Sequence, residues 1–218
     1  MICLIPARKG SKRIKNKNLI NISNKPLIAH VIEIVKKSKL FKKIIVSTDS
    51  KQIAKVAIKY GAEVPFIRKK SLSGDFVSTI DVIRDAIKNI KSYDTDYHYC
   101  VYPTSILTTH KDLKNGFRKI KKTKSDYLLT LKKFVHPPQR SIKVKNFKDY
   151  KYLNEKNILK RTQDFESQYH DAGAFYIFKT SSIFKKKIKK KTYLILGRYS
   201  FFDIDNYEDL KFIKSLRF

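Results

Sequence analysis

A three-layer α/β fold with a mostly parallel, doubly wound sheet is what this sequence predicts, and three observations carry the prediction. Short β-rich runs alternate with segments of helical period through the first half of the chain, the pattern of strands joined by crossover helices. The runs at residues 2–5 and 97–101 are apolar at nearly every position, as strands covered on both faces are. A length of 218 residues suits one large domain with a sizeable core.

Taken in order, the strand at 2–5 leads into a polar loop, and Pro26 then opens a helix whose Leu27, Ile28, Val31, Ile34 and Val35 recur at helical spacing. A strand at 43–47, a helix at 51–60 and a strand at 63–66 follow, with Gly61 where a helix C-cap belongs. Asp49 is read as the cap of the helix starting near Lys51. Ser78 or Thr79 caps the next helix, which carries Ile80, Ile83, Ile87 and Ile90. A strand at 97–101, a helix around 112–120 and a strand at 127–131 complete the regular part.

Residues 134–168 break the rhythm. They hold Pro137, Pro138, many lysines and tyrosines, and no sustained helical period, so they read as a β-type excursion from the sheet. The main domain resumes with strands at 174–178 and 193–196 and closes with a helix bearing Leu210, Ile213 and Leu216. The expected organisation is a single domain over 1–218 with 134–168 as an insertion. The densest basic run, residues 185–191, reads as a solvated helix end or loop.

The formal net charge is +30, which invites a nucleic-acid reading. The excess is spread over both halves, +13 in residues 1–109 and +17 in 110–218. Of the 49 basic residues 40 are lysine, whereas base readout and bidentate phosphate clamps favour arginine. The 27 tyrosines and phenylalanines are read as mostly core residues, not stacking platforms. No specific nucleic-acid partner is therefore expected. No apolar run of 18 residues exists, and the first six residues are too short a stretch for a secretory core, so a cytosolic protein is expected. Cys3 and Cys100 lie in apolar strands and read as buried thiols.

The loop after the first strand is the most informative segment. PARKGSKRIKNKN gathers Arg8, Lys9, Lys12, Arg13, Lys15 and Lys17 at the carboxyl end of a strand, where open α/β sheets bind ligands. Gly10 and Ser11 allow a close backbone approach and offer N–H and hydroxyl donors to an anion. The spacing is neither GxxxxGK[ST] nor GxGxxG, which disfavours P-loop hydrolases and dinucleotide enzymes. A polyphosphate is the natural ligand; a solvated basic loop is the competing reading.

IPARKGSKRIKNKN resembles the N-terminal signature of the cytidylyltransferases that make CMP-linked acidic sugars, the CMP-sialic acid synthetase-like family. The resemblance continues through KPLIAHVIE, IIVSTDSKQIAKVAIKYGAEVPFIR, YPTSIL, HPP and FFDIDNYEDL, so it spans nearly the whole chain. RTQDFESQYHDAGAFY is most similar to the branch that activates pseudaminic acid. This membership implies a Rossmann-like nucleotidyltransferase sheet and transfer of CMP from CTP to an acidic nine-carbon sugar. It also implies Mg²⁺ as cofactor and a homodimer built by residues 134–168. CMP-N-acetylneuraminate, CMP-legionaminate and CMP-ketodeoxyoctonate synthesis are its close alternatives.

By position, the resemblance puts Arg8, Gly10, Ser11, Lys12, Lys17 and Asn18 on the nucleotide, with Arg68 and Ser78 in the same cleft. Without it, Arg68 reads equally as a surface arginine. Tyr102, Thr104 and Ser105 of the YPTS segment are implied to face nucleotide and sugar, with His170 and Asp171 as further sugar contacts. Tyr102 and Thr108 depart from the glutamine and arginine usual in the sialic acid branch. Arg8, Lys12, Lys17 and Asp205 are the expected catalytic residues. Asp203 and Asp205, spaced to share one face of a strand, are the expected Mg²⁺ ligands, although a salt-bridged strand end fits the spacing too. His136 reads as a structural histidine.

Overall fold

The computed structural model describes residues 1–91, 96–185 and 188–216. Its centre is a six-stranded sheet. In chain order the strands and helices are β1 (Ile2–Pro6), β2 (Asn21–Ile22), β3 (Lys25–Pro26), α1 (Leu27–Ser38), β4 (Lys43–Ser47), α2 (Lys51–Lys59), α3 (Thr79–Ile90), β5 (Tyr97–Val101), α4 (His110–Thr123) and β6 (Tyr127–Lys133). Then come β7 (Ile142–Asn146), β8 (Asp149–Tyr152), β9 (Tyr169–Lys179), α5 (Thr180–Ile183), β10 (Lys191–Ile195) and α6 (Tyr207–Ser215). The sheet order is β10-β6-β9-β5-β1-β4, and β9 runs antiparallel to both neighbours while the other pairs are parallel.

Three layers follow from the period of two along β1. Cys3 and Ile5 pack with Val31, Ile53 and Leu113 on one side of the sheet; Ile2 and Leu4 pack with Ile83, Ala86 and Ile87 of α3 on the other. Both cysteines are free and buried, and burial pushes both thiols up from their ordinary value. A third apolar cluster joins Ile14 and Ile22 of the loop after β1 to Ile204, Leu210 and Ile213, so α6 pins that loop from below.

Several expectations need correction. Residues 63–66 form no continuous strand. They make only isolated bridges, Ile45 with Glu63 and Thr48 with Ile67, and Pro65 between them has no N–H to continue a ladder. Asp49 does not cap α2; Ser50 does, accepting from the Ile53 N–H, while the Asp49 carboxylate accepts the Lys9 N–H at 2.7 Å. Asp203 and Asp205 lie on irregular chain before α6, not on a strand. Among the described residues ten aromatics are exposed, Phe76, Phe147, Tyr150 and Tyr199 included, so fewer rings are in the core than the sequence implied.

Ser78 is the cap of α3, and Gly61 takes φ 90° just past the end of α2. Residues 134–168 do leave the main sheet, forming the β7–β8 hairpin as a separate two-stranded sheet. Of the basic run at 185–191, Lys186 and Lys187 lie outside the described residues. Among the described residues no helix is long and apolar enough to cross a membrane.

Candidate active site

A cleft of about 620 Å³ opens at the carboxyl ends of β1 and β5. Its walls come from the loop after β1, the segment between Arg68 and Val77, the first turn of α3, the turn after β5, and β9. Arg8, Ser11, Lys12, Lys17, Asn18, Arg68, Tyr102, Thr104, Asp203 and Asp205 all line it, from sites as far apart in sequence as 8 and 205. Gly10, Ser78, Ser105, His170 and Asp171 do not.

Each exception has a local reason. Gly10 is exposed, and a Cβ there would meet nothing within 4 Å, so no protein contact demands the glycine. The Ser78 hydroxyl is spent on the cap, donating to Asp81 at 2.6 Å. Ser105 is buried and donates to the Ala174 carbonyl at 2.6 Å. His170 is exposed with its ring against Phe134, centroids 4.9 Å apart. Asp171 acts one step back, accepting from the Tyr176 hydroxyl and from the Gly173 N–H, each at 2.8 Å; both donor residues line the cleft. Of the two departures from the sialic acid branch, Tyr102 lines the cleft, while Thr108 is buried and donates to the Ser200 carbonyl. His136 is exposed and lines a different recess, under the β7–β8 excursion.

Five cations face three carboxylates in this cleft. Arg8 and Lys12 both reach Asp75, at 2.7 and 2.5 Å. Arg13 pairs with Asp205 at 2.7 Å, with Lys17 at 3.8 Å from the same oxygen. Lys17 also donates to the Ile204 carbonyl at 2.7 Å, and burial pulls its ammonium below the ordinary value against the opposing field of Asp203 and Asp205. Arg68 is buried, donating through Nε to Ser73, and burial lowers its basicity too. Asn18 donates to the Arg8 carbonyl, so it shapes the loop.

The residue between the two aspartates explains how they are presented. Ile204 is fully buried beneath the loop after β1, which anchors the segment and leaves Asp203 and Asp205 on the cleft side. The cleft walls dehydrate the Asp203 carboxyl and Asp205 repels its charge, and both raise its pKa above the usual carboxylate range. The Ile204 N–H and the Thr104 hydroxyl oppose that shift. Two mutually repelling carboxylates beside a basic loop suit a divalent cation. Mg²⁺ is held by one or two carboxylates plus substrate phosphates, not by an all-protein cage. Among the described residues no group of three or more His, Cys, Asp or Glu able to hold a metal occurs.

Asp75, Thr79, Tyr176 and Gly173 are cleft residues that the sequence did not single out as site residues, while Arg13 of the basic loop lines the cleft as well. Tyr176 shares the α3 side of the sheet with Phe178, two positions on along β9, an alternation that could have found it. No spacing signals Asp75, whose partners lie more than 60 residues away.

The cytidylyltransferase profile matches residues 2–217, essentially the full chain. The chain belongs to the cytidylyltransferase family. Among its curated relatives is the pseudaminic acid cytidylyltransferase of Campylobacter jejuni (strain 81-176), 37% identical over 220 residues that cover 99% of this chain and 95% of that protein. A Helicobacter pylori protein named pseudaminic acid cytidylyltransferase and UDP-2,4-diacetamido-2,4,6-trideoxy-beta-L-altropyranose hydrolase is 37% identical over 182 residues, 83% of this chain and 35% of its own length. Of solved structures, CMP:2-keto-3-deoxy-manno-octonic acid synthetase complexed with CTP superposes with a TM-score of 0.71 at 14% identity, covering 98% of this chain and 96% of the other. That likeness is one of fold.

Proposed function

We propose that the protein transfers CMP from CTP to an acidic nine-carbon sugar, pseudaminic acid, and releases pyrophosphate. The observation that carries the reading is the full-length likeness to a pseudaminic acid cytidylyltransferase, in a chain whose basic loop and paired aspartates converge on one cleft. The sugar's anomeric hydroxyl attacks the α-phosphorus, the bond to the bridging oxygen breaks, and the electron pair leaves with pyrophosphate. Both reactants are anions, so the barrier is largely charge repulsion and positioning. Arg8, Lys12, Arg13 and Lys17 neutralise the triphosphate, and Ser11 adds a hydroxyl donor at the same loop. Tyr102, Thr104 and Asp171, the last through Tyr176 and Gly173, orient the sugar.

Asp203 and Asp205 would hold Mg²⁺, which when bound supplies charge neutralisation at the phosphoryl oxygens. The cations now on Asp205 and Asp75 then turn to phosphate. The β7–β8 excursion, with Val144, Phe147 and Tyr150 exposed, is the proposed homodimer contact. A CTP-dependent reaction and two buried free thiols fit a reducing cytosol.

The test is pyrophosphate release over a grid of four nucleoside triphosphates and four acids: pseudaminic, N-acetylneuraminic, diacetyllegionaminic and ketodeoxyoctonic. CTP with pseudaminic acid is expected to give the highest kcat/KM. Equal release with UTP overturns the nucleotide assignment, and preference for another acid overturns the sugar.

A further inference from the structure

Asp203 and Asp205 stand on a stretch that no strand or helix holds. Residues 196–206 join β10 to α6 as irregular chain, so their main chain has no ladder to complete. Three side chains from distant parts of the sequence grip it instead. The Thr108 hydroxyl donates to the Ser200 carbonyl at 3.2 Å, the Lys132 ammonium to the Phe201 carbonyl at 2.7 Å, and the Lys17 ammonium to the Ile204 carbonyl at 2.7 Å. The two lysines thus bracket Asp203, one holding the carbonyl two residues before it and the other the carbonyl one residue after. Phe201 and Ile204 are themselves buried, so the same two residues are fixed from the apolar side as well.

Lys17 lines the cleft and faces Asp205, which makes it part of the site already described. Lys132 is not a lining residue of that cleft. It follows Leu128 and Thr130 along one face of β6, the face toward α4. Burial, and after it the charge of Arg198, pull its ammonium below the ordinary value. An ammonium in such a setting is costly to keep, and the Phe201 carbonyl is the acceptor that compensates it through a charge-assisted hydrogen bond.

We infer that Lys132 is a positioning residue for the reaction: by holding the Phe201 carbonyl it fixes where the carboxylates of Asp203 and Asp205 stand. It acts from outside the cleft, through the main chain. The inference rests on the metal-holding role proposed for the two aspartates and adds the residue that holds their segment in place.

The test compares Lys132→Met, which keeps the aliphatic stem and removes the donor, with Lys132→Arg, which keeps a cationic donor. Hydrogen exchange, followed by mass spectrometry without metal or substrate, reads the segment directly. The Ile204 and Asp205 amides, held by the Asp203 and Asp209 carboxylates, are expected to exchange at least about tenfold faster in Lys132→Met. With CTP and pseudaminic acid, kcat is expected to fall at least about tenfold while KM for CTP at saturating Mg²⁺ stays within about twofold. Lys132→Arg is expected to restore most of both. Unchanged exchange or unchanged kcat in a folded Lys132→Met overturns the inference, and so does an equal loss in Lys132→Arg, which would mean packing alone. If Lys132→Met does not fold, Lys132→Gln, too short to reach the carbonyl, is measured in its place and read the same way. Failure of the parent reading shows differently: Asp203→Asn and Asp205→Asn then keep near-normal turnover, whatever Lys132 does to the exchange of the segment.

Discussion

Asp75 holds Arg8 and Lys12, two side chains proposed above to neutralise the triphosphate, with one carboxylate oxygen on each. Their hydrogen bonds, with Lys12 the larger effect, pull its carboxyl below the ordinary value, and it is exposed. An exposed pair of this kind is weak and salt-screened, so it would yield to a triphosphate of higher charge. Asp75→Asn is expected to lower KM for CTP by about two- to threefold at low salt, the difference vanishing near 0.3 M. KM measured at two salt concentrations checks this. A rise in KM would mean that Asp75 positions the two cations for the nucleotide. Arg8, Lys12 and Lys17 were legible in the sequence because they are contiguous. Asp75 was not, because its role is set by the fold of a distant segment. Asp49 misled for the opposite reason: it sits next to a true cap, Ser50, and its carboxylate is taken by the backbone of Lys9.

α2, α3, α4 and α6 were readable because helical period and a side-chain N-cap agree at each of them. Thr109 with Asp112 opens α4 as a capping box, and Asn206 with Asp209 does so for α6. The antiparallel course of β9 was not readable, since a buried strand shows the same apolar run in either direction. Gly116 is an element-scale consequence of that strand. It lies in α4 against β9, and a Cβ there would meet the Phe175 ring at 2.9 Å and Ile177 at 3.2 Å. Alanine would gain about 1 kcal/mol of helix propensity, but overpacking a tight core contact costs about 1–3 kcal/mol. Gly116→Ala is therefore expected to lower the melting temperature by up to about 6 °C in a chain of this size. A rise would mean that α4 slides off β9 without loss.

At the scale of the molecule, the net charge of +30 is a general property of the surface, while in the cleft five cations are largely balanced by three carboxylates. The β7–β8 hairpin has no core of its own: every residue of β7 is exposed, and Val144 and Phe147 are 70% and 92% exposed. Light scattering is expected to show a dimer that the double change Val144→Asp and Phe147→Asp dissociates. A fully active monomer at micromolar concentration would remove this face from the account.

For the proposal that the basic loop and the two aspartates form one phosphoryl-transfer site, the deciding measurement is Mg²⁺-titrated pyrophosphate release from CTP and pseudaminic acid, with melting curves, for Asp203→Asn and Asp205→Asn. Asparagine keeps size and hydrogen bonding but removes a hard anionic ligand. The ion pairs of Asp205 with Arg13 and Lys17 are partly exposed and contribute at most about 1 kcal/mol, so both variants should fold. The account predicts turnover reduced by about 100-fold or more, melting temperatures within a few degrees of the unsubstituted protein, and a shifted Mg²⁺ requirement. Near-normal turnover in both variants at limiting Mg²⁺, with stability lost instead, would contradict it.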